Sequence, residues 1–184
     1  IKKAYKSLND NRSIASIIEY ENSVTNNSIN SELRVVNIDN LKNISGSNLA
    51  LIGSGNFASA TILPSLSKLK AKIKYISSLN GLSSTLLAKK YSINFSTTET
   101  KKIFNDKDVM GVIISTRHDL HAKLIIESLN NNKNVFVEKP LCLNQTQLKE
   151  IISAKNKSNS SISVGFNRRF SPHSIKIKKF LGEN

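Results

Sequence analysis

Two closely spaced glycines stand where an apolar run of the sequence gives way to a helix-like segment. After the run Leu49–Ile52 the chain reads Gly53, Ser54, Gly55, Asn56, Phe57 and Ala58, a G-x-G-x-x-A pattern. In this context Gly53 allows a tight turn, Gly55 lets the backbone approach a phosphate, and Ala58 keeps the helix close to the sheet. Backbone N–H groups at such a helix start attract phosphates. The pattern predicts a pyrophosphate site formed by these six residues, with a plain tight turn as the alternative.

The next apolar run, Ile73–Ser77, ends without the acidic residue that commonly binds the adenosine ribose of a dinucleotide. Ser77, Ser78 and Asn80 stand there instead, and they can hydrogen-bond either a ribose hydroxyl or a 2′-phosphate. No arginine lies nearby in the sequence to favour the phosphate. The sequence therefore predicts cofactor contacts at Ser77 and Ser78 and leaves NAD and NADP open.

Polar residues also follow three later apolar runs of the sequence. Because ligands of open α/β sheets lie at the carboxyl ends of the strands, we expect these residues to surround one crevice. They are Ser115, Thr116, Arg117, His118 and His121 after the first run, Glu138 and Lys139 after the second, and Arg168 and Arg169 after the third. Pro140 stiffens the loop that carries Lys139, so we expect this lysine to face the crevice.

Each of these side chains also admits a structural interpretation. His121 can orient a helix, His118 can face solvent, and Lys139 can be a surface lysine. Arg168 and Arg169 can bind an anionic substrate or pair with acids at a helix end. His118 and His121 have no evident third ligand in the sequence, so we predict no metal site.

The elements that must position these residues form a βαβ pattern from residue 48 onward. The predicted strands are Leu49–Ile52, Ile73–Ser77, Val112–Ser115, Val135–Val137 and Ile162–Gly165, and the predicted helices are Phe57–Leu69, Ser83–Tyr91, Asp119–Asn130 and Asn144–Lys155. A further short helix is expected before the third strand. Right-handed crossovers between such strands give a doubly wound parallel sheet, a three-layer αβα Rossmann fold of the NAD(P)-binding type.

The remaining segments of the sequence lack this alternation of strand-like and helix-like runs. We predict that residues 48–166 form the dinucleotide-binding domain and that residues 167–184 begin a C-terminal α/β substrate domain, which is largely missing. Residues 22–47 are expected to be a linker with a short strand at Leu33–Ile38, and residues 1–21 form a separate tail. The chain is therefore expected to be a piece of a longer protein.

Composition narrows the class of protein. The chain has 184 residues, 39% of them hydrophobic, and its one cysteine, Cys142, excludes an internal disulfide. No apolar run approaches the roughly 20 residues that cross a bilayer, and no signal peptide is apparent, so we expect a cytoplasmic protein without membrane contact. The formal net charge is +14, but the lysines are scattered and aromatic residues make up only 6%, which disfavours nucleic acid as a partner.

Four segments together resemble the glucose–fructose oxidoreductase/inositol dehydrogenase family (Gfo/Idh/MocA): residues 53–58, 116–121, 138–140 and 165–170. The resemblance implies an NAD(P)-dependent oxidoreductase that acts on a hydroxyl-bearing carbon of a sugar or cyclitol. It places residues 116–121 along the nicotinamide half of the cofactor and assigns Lys139 a catalytic role, in contact with cofactor and substrate hydroxyl. Two departures are Arg117 and His118, where Pro-Asn is common, and the missing ribose-binding acid.

The resemblance has consequences for the whole protein. The family's base is usually a histidine of the C-terminal domain, so residues 1–184 are expected to bind dinucleotide without turnover, and the full-length protein to be a homo-oligomer. The segments Ala4–Leu8 and Ser16–Tyr20 are similar to the last helix and strand of zinc-type medium-chain alcohol dehydrogenases. This likeness implies a fused two-enzyme protein, an arrangement associated with surface polysaccharide loci. The alternative is a non-enzymatic dinucleotide-sensing or scaffold module with a basic surface that contacts nucleic acid.

Overall fold

The computed structural model describes residues 35–38 and 48–182 of the chain. Within these residues one sheet of seven strands has the order β1-β4-β3-β2-β5-β6-β7, with β1 antiparallel to β4 and all other neighbours parallel. The strands are β1 (Val35–Asn37), β2 (Asn48–Ile52), β3 (Ile73–Ser77), β4 (Phe95–Thr97), β5 (Val109–Ile114), β6 (Asn134–Glu138) and β7 (Ile162–Gly165). The six parallel strands follow the doubly wound Rossmann order, which confirms the predicted fold class.

Helices connect successive parallel strands. A π-helical segment (Ala58–Ile62) continues into α1 (Leu63–Lys68), followed by α2 (Leu82–Tyr91), α3 (Thr100–Asn105), α4 (His121–Asn130), α5 (Gln145–Asn156) and α6 (Pro172–Leu181). Short 3-10 turns cover His118–Leu120 and Asn167–Phe170. The Asn144 side chain caps α5 by accepting a hydrogen bond from the Gln147 N–H at 2.9 Å, which satisfies a donor at the helix start. The four predicted helices are confirmed, with small shifts at their ends.

The central strand β2 is buried on both faces. Ala50 and Ile52 belong to a core cluster that includes Ile125, whereas Leu51 belongs to a second cluster with Ile76. Side chains of a strand alternate between the two faces of the sheet, so the two clusters lie on opposite faces. A continuous apolar run is the pattern expected of a strand covered by helices on both sides, and it holds the turn after Ile52 in a fixed position.

Two strands, β1 and β4, extend the sheet beyond β3 and add to the five predicted parallel strands. The strand expected at Leu33–Ile38 is confirmed over Val35–Asn37, where it pairs with β4, and Ile38 is buried behind it. β4 itself has no apolar run, because two of its three residues are polar. The Ser96 hydroxyl is buried and donates to Ser84 Oγ at 2.9 Å. The other residues of the expected linker and the tail 1–21 lie outside the described residues.

A cluster of polar side chains lies near the amino ends of the parallel strands. The Lys74 ammonium lies 2.7 Å from a carboxylate oxygen of Asp106 and 2.8 Å from one of Asp108. The Tyr75 hydroxyl donates to Asp106 at 2.9 Å, and the Lys133 ammonium donates to the Asp106 carbonyl at 2.6 Å. These contacts join β3 to the loops that precede β5 and β6. The candidate site lies at the opposite, carboxyl ends of the strands.

No helix in the two described ranges has both the length and the apolarity that crossing a bilayer requires.

Candidate functional site

A cleft of about 660 Å³ opens at the carboxyl ends of β2, β3, β4 and β5. β3 and β5 flank β2 on opposite sides, so the cleft lies at the point where the strand order reverses, where open α/β sheets bind ligands. Ten of the predicted site residues line it: Gly53, Ser54, Gly55, Asn56, Phe57, Ser77, Ser78, Ser115, Thr116 and Arg117. The structure thus brings together the segments after the first, second and third predicted strands.

Three strand ends are tied together beneath this cleft. The Gly53 N–H donates to the Ser77 carbonyl at 2.9 Å, and the Ser115 N–H donates to the Ile52 carbonyl at 2.9 Å. Gly53 has φ +107°, and a Cβ added there would lie 2.6 Å from the Ser115 carbonyl oxygen. Gly53 is therefore required by the close approach of the turn after β5 as well as by its own turn.

Gly55 has a different environment. It is exposed, and a Cβ added there would meet no other atom within 4 Å, so it faces open space. Ala58, by contrast, is 1% exposed and packs in the core with Leu51 and Leu63, which sets the helix start close to β2. A backbone without side chains facing a cleft at a helix start is the arrangement that a pyrophosphate requires. The residues present fit a dinucleotide.

A chain of serine hydroxyls links the glycine turn to the turn after β3. Ser54 Oγ and Ser83 Oγ lie 2.6 Å apart, and Ser83 Oγ is 3.4 Å from Ser78 Oγ. Ser78 Oγ donates to Ser84 Oγ at 2.9 Å and accepts from the Gly81 N–H at 3.2 Å. Hydroxyls that already bond to one another hold both turns in one geometry. Sequence reasoning missed Ser83, whose only signal was its place at the start of a predicted helix.

The turn after β4 also lines the cleft, which sequence reasoning missed. Thr98, Thr100 and Lys101 contribute to this wall. The available signal was weak, because these residues count as a strand end only once Phe95–Thr97 is recognised as a strand. Apolar contacts come from Leu79, which is 83% exposed, and from the segment around α4. Apolar side chains among a few polar groups are typical of a cofactor pocket.

His121 lies outside the cleft lining and is fully buried. Its Nδ1 is 2.7 Å from the Pro140 carbonyl oxygen, and its Nε2 is 3.2 Å from the Thr116 carbonyl oxygen. Carbonyl oxygens only accept, so a neutral ring donates to one of these two carbonyls, through the nitrogen that carries the hydrogen. The His118 ring packs edge-on at 5.5 Å. His121 therefore joins the turn that follows β5 to the loop that follows β6.

Four further predicted residues also lie at the carboxyl ends of strands, but outside the cleft lining. Glu138 ends β6, and a Cβ on Gly165 of β7 would lie 2.7 Å from its Oε1. Lys139 is exposed beside Pro140, and the peptide bond between them is cis. Arg168 and Arg169 are exposed after β7. The structure thus places these side chains at the ends of β6 and β7, next to the cleft's β5 wall.

Within the described ranges, no group of three or more His, Cys, Asp or Glu side chains is arranged to hold a metal ion.

Comparison with known proteins agrees with this geometry. Residues 47–166 match the family model described as the Gfo/Idh/MocA oxidoreductase family, NAD-binding Rossmann fold. An uncharacterized oxidoreductase, YrbE of Bacillus subtilis, is 32% identical over 110 residues, which cover 60% of this chain and 32% of that protein. The inositol 2-dehydrogenase of Salmonella paratyphi B is 35% identical over 80 residues, 43% of this chain and 24% of that protein. The chain therefore spans about a third or less of these relatives.

Solved structures share the fold. A 3-ketoreductase from Actinomadura kijaniata, in complex with TDP-benzene and NADP, superposes with a TM-score of 0.67 at 19% identity and covers 74% of this chain and 43% of that one. The predicted Rossmann fold is confirmed, and the description of the family as NAD-binding agrees with the predicted nicotinamide cofactor class. Since the matched segment, residues 47–166, is more than half of the chain, the protein belongs to the Gfo/Idh/MocA family of oxidoreductases.

Proposed function

We propose that this chain binds NAD or NADP in the 660 Å³ cleft and serves hydride transfer at a hydroxyl-bearing carbon of a sugar or cyclitol. The observation that carries the proposal is the open approach to Gly55 at the switch point of the sheet. A bound nicotinamide supplies the hydride acceptor or donor. Membership of the oxidoreductase family and similarity to an inositol 2-dehydrogenase support this choice of chemistry and substrate class.

Lys139 is the residue that we propose to hold the substrate hydroxyl. Its exposed ammonium stands at the carboxyl end of β6, and its loop is tied through Pro140 and His121 to Thr116, which lines the cleft. We propose that Arg168 and Arg169 reach the substrate from the end of β7. Glu138 and His118 stay predicted cofactor contacts.

For the whole protein we propose a larger assembly. A C-terminal α/β domain would supply the base and the rest of the substrate site, so that residues 1–184 bind dinucleotide without turnover. Residues 1–21 would belong to a fused zinc-type dehydrogenase, and residues 22–47 would link the two. The full-length protein would be a cytoplasmic homo-oligomer that serves surface polysaccharide synthesis.

Titration calorimetry of the 184-residue chain with NAD(H) and NADP(H) tests dinucleotide binding. We expect Gly55→Val to weaken binding by about tenfold or more, because the new side chain enters the space that the phosphates need. Ala60→Val is the matched control, since it also introduces a valine at an exposed position, on the π-helical segment that follows the turn and outside the cleft lining. Both variants should unfold at temperatures close to that of the unchanged chain.

Two results would overturn the proposal. One is the absence of binding to all four dinucleotides together with steeply salt-dependent binding of duplex DNA, as a scaffold module would show. The other is equal weakening by Gly55→Val and Ala60→Val. Turnover by residues 1–184 alone, lost in Lys139→Ala, would instead overturn only the proposed need for a C-terminal domain.

A further inference from the structure

We propose that the cleft selects NADP(H) over NAD(H), with Lys101 as the cation that binds the 2′-phosphate of the adenosine ribose. This inference rests on the proposed function, since it requires that a dinucleotide binds at all. It concerns the wall of the cleft formed by the turns after β3 and β4, whose contacts the sequence alone could not place.

The first step is the absence of a carboxylate on this wall. An enzyme that selects NAD commonly places an acid after the second parallel strand, where it accepts hydrogen bonds from the ribose hydroxyls and repels a phosphate. Among the described residues that line the cleft, Glu127 is the one acid, and it belongs to α4, which follows β5. The turns after β3 and β4 contribute serine, threonine, asparagine and lysine side chains.

The second step concerns Ser78, which stands where the acid would be. Its hydroxyl donates to Ser84 Oγ at 2.9 Å and accepts from the Gly81 N–H at 3.2 Å. A neutral hydroxyl held in this way cannot replace the two charged oxygens of a carboxylate as a partner for a ribose diol. It also places no negative charge against a phosphate group.

The third step is the position of Lys101. The turns after β3 and β4 touch, because a Cβ on Gly81 would lie 3.3 Å from Thr98 Cγ2. Lys101 follows three residues later and lines the cleft, exposed and in no ion pair with the described part of the chain. Glu99, the nearest acid in the sequence, is outside the lining and lies 3.8 Å from the Lys102 ammonium.

The fourth step is the charge of the whole cleft. Lys101, Arg117 and Lys123 line it against the single carboxylate of Glu127. A 2′-phosphate adds negative charge to the ligand, so this lining attracts NADP(H) more strongly than NAD(H). The attraction falls as salt rises, because the lysine is exposed.

The experiment compares the dissociation constants of NADPH and NADH for the 184-residue chain, measured by calorimetry. We expect NADPH to bind about tenfold or more tightly than NADH, and Lys101→Ala to remove most of that advantage by weakening the binding of NADPH far more than that of NADH. Lys102→Ala is the matched control, an adjacent lysine outside the cleft lining. Ser78→Asp should reverse the preference, since it returns a carboxylate to the end of β3.

The outcomes separate this inference from the proposed function. Equal affinities, or tighter binding of NADH, would overturn the preference for NADP(H) and leave dinucleotide binding intact. An unchanged affinity ratio in Lys101→Ala would overturn the role of Lys101. Binding of neither nucleotide would overturn the proposed function itself. Thermal unfolding of each variant confirms that the fold persists, and Lys101 is exposed, so its replacement should leave the unfolding temperature unchanged.

Discussion

The two glycines of the turn after β2 serve different physical needs. Gly53 is buried with φ +107°, and its missing side chain makes room for the Ser115 carbonyl. Gly55 is exposed and makes room for nothing in the protein itself. Gly53 is thus needed for a stable fold, whereas Gly55 leaves space that a ligand can occupy. Substitutions at the two positions should therefore separate stability from binding.

We predict that Gly53→Ala lowers the free energy of unfolding by about 2–4 kcal/mol, because the methyl group meets a backbone carbonyl and the positive φ is strained. Gly55→Ala should change it by less than about 1 kcal/mol, since its site is open and its φ ordinary. Urea denaturation followed by circular dichroism measures both. Equal stabilities of the two variants would contradict the assigned contact between Gly53 and Ser115.

At the scale of elements, the sequence predicts those strands that are buried in the core and therefore consist of a continuous run of apolar residues. β2 and β5 are examples. The alternation of such strands with helices along the chain is sufficient to predict the Rossmann topology. β4 escapes such reasoning, because its buried Ser96 is stabilised by a hydrogen bond from another element. The contact between Gly53 and Ser115 escapes it as well, because it depends on the pairing of β2 with β5. The turn after β4, and with it Lys101, could be placed only by the structure.

His121 connects two elements that the sequence treats as separate sites. We predict that His121→Ala increases amide hydrogen exchange in residues 138–143 and lowers the free energy of unfolding by about 1–3 kcal/mol, because the ring no longer bridges the Thr116 and Pro140 carbonyls and one of them loses its buried donor. His173→Ala is the matched control, since that histidine is exposed on α6. Hydrogen exchange with mass spectrometry locates the effect.

A merely structural role for His121 would give a different result. Exchange would then rise uniformly across the sheet, with no excess in the loop that carries Lys139. In the expected result, the increase is confined to the loop after β6 and the turn after β5, and dinucleotide binding weakens. A uniform increase, or none, would contradict the role of His121 as a positioning residue.

At the scale of the whole molecule, the candidate site and a cluster of charged side chains lie at opposite ends of the strands. The cleft lies at the carboxyl ends of the strands, and near their amino ends lies the cluster of Lys74, Tyr75, Asp106, Asp108 and Lys133. Burial alone would raise the pKa of Asp106, but hydrogen bonds from Lys74, the Asp108 N–H and Tyr75 lower it below its ordinary value. Substitutions in this cluster should therefore change stability with pH and leave dinucleotide binding unaffected.

The Tyr75 hydroxyl provides the test, because burial and then its hydrogen bond to Asp106 raise its pKa from 10.0 to about 12. The folded chain holds this proton above pH 10, where the unfolded chain releases it, so the stability from Tyr75 is complete below pH 10 and is lost as pH rises towards 12. Burial lowers the pKa of Lys133, which acts in the opposite direction, so the comparison needs a variant that isolates Tyr75. We predict that Tyr75→Phe is less stable than the unchanged chain by about 1 kcal/mol near neutral pH and that this difference shrinks above about pH 10. Urea unfolding at several pH values measures the difference, and a constant gap up to about pH 12 would show that the phenol does not hold its proton through Asp106.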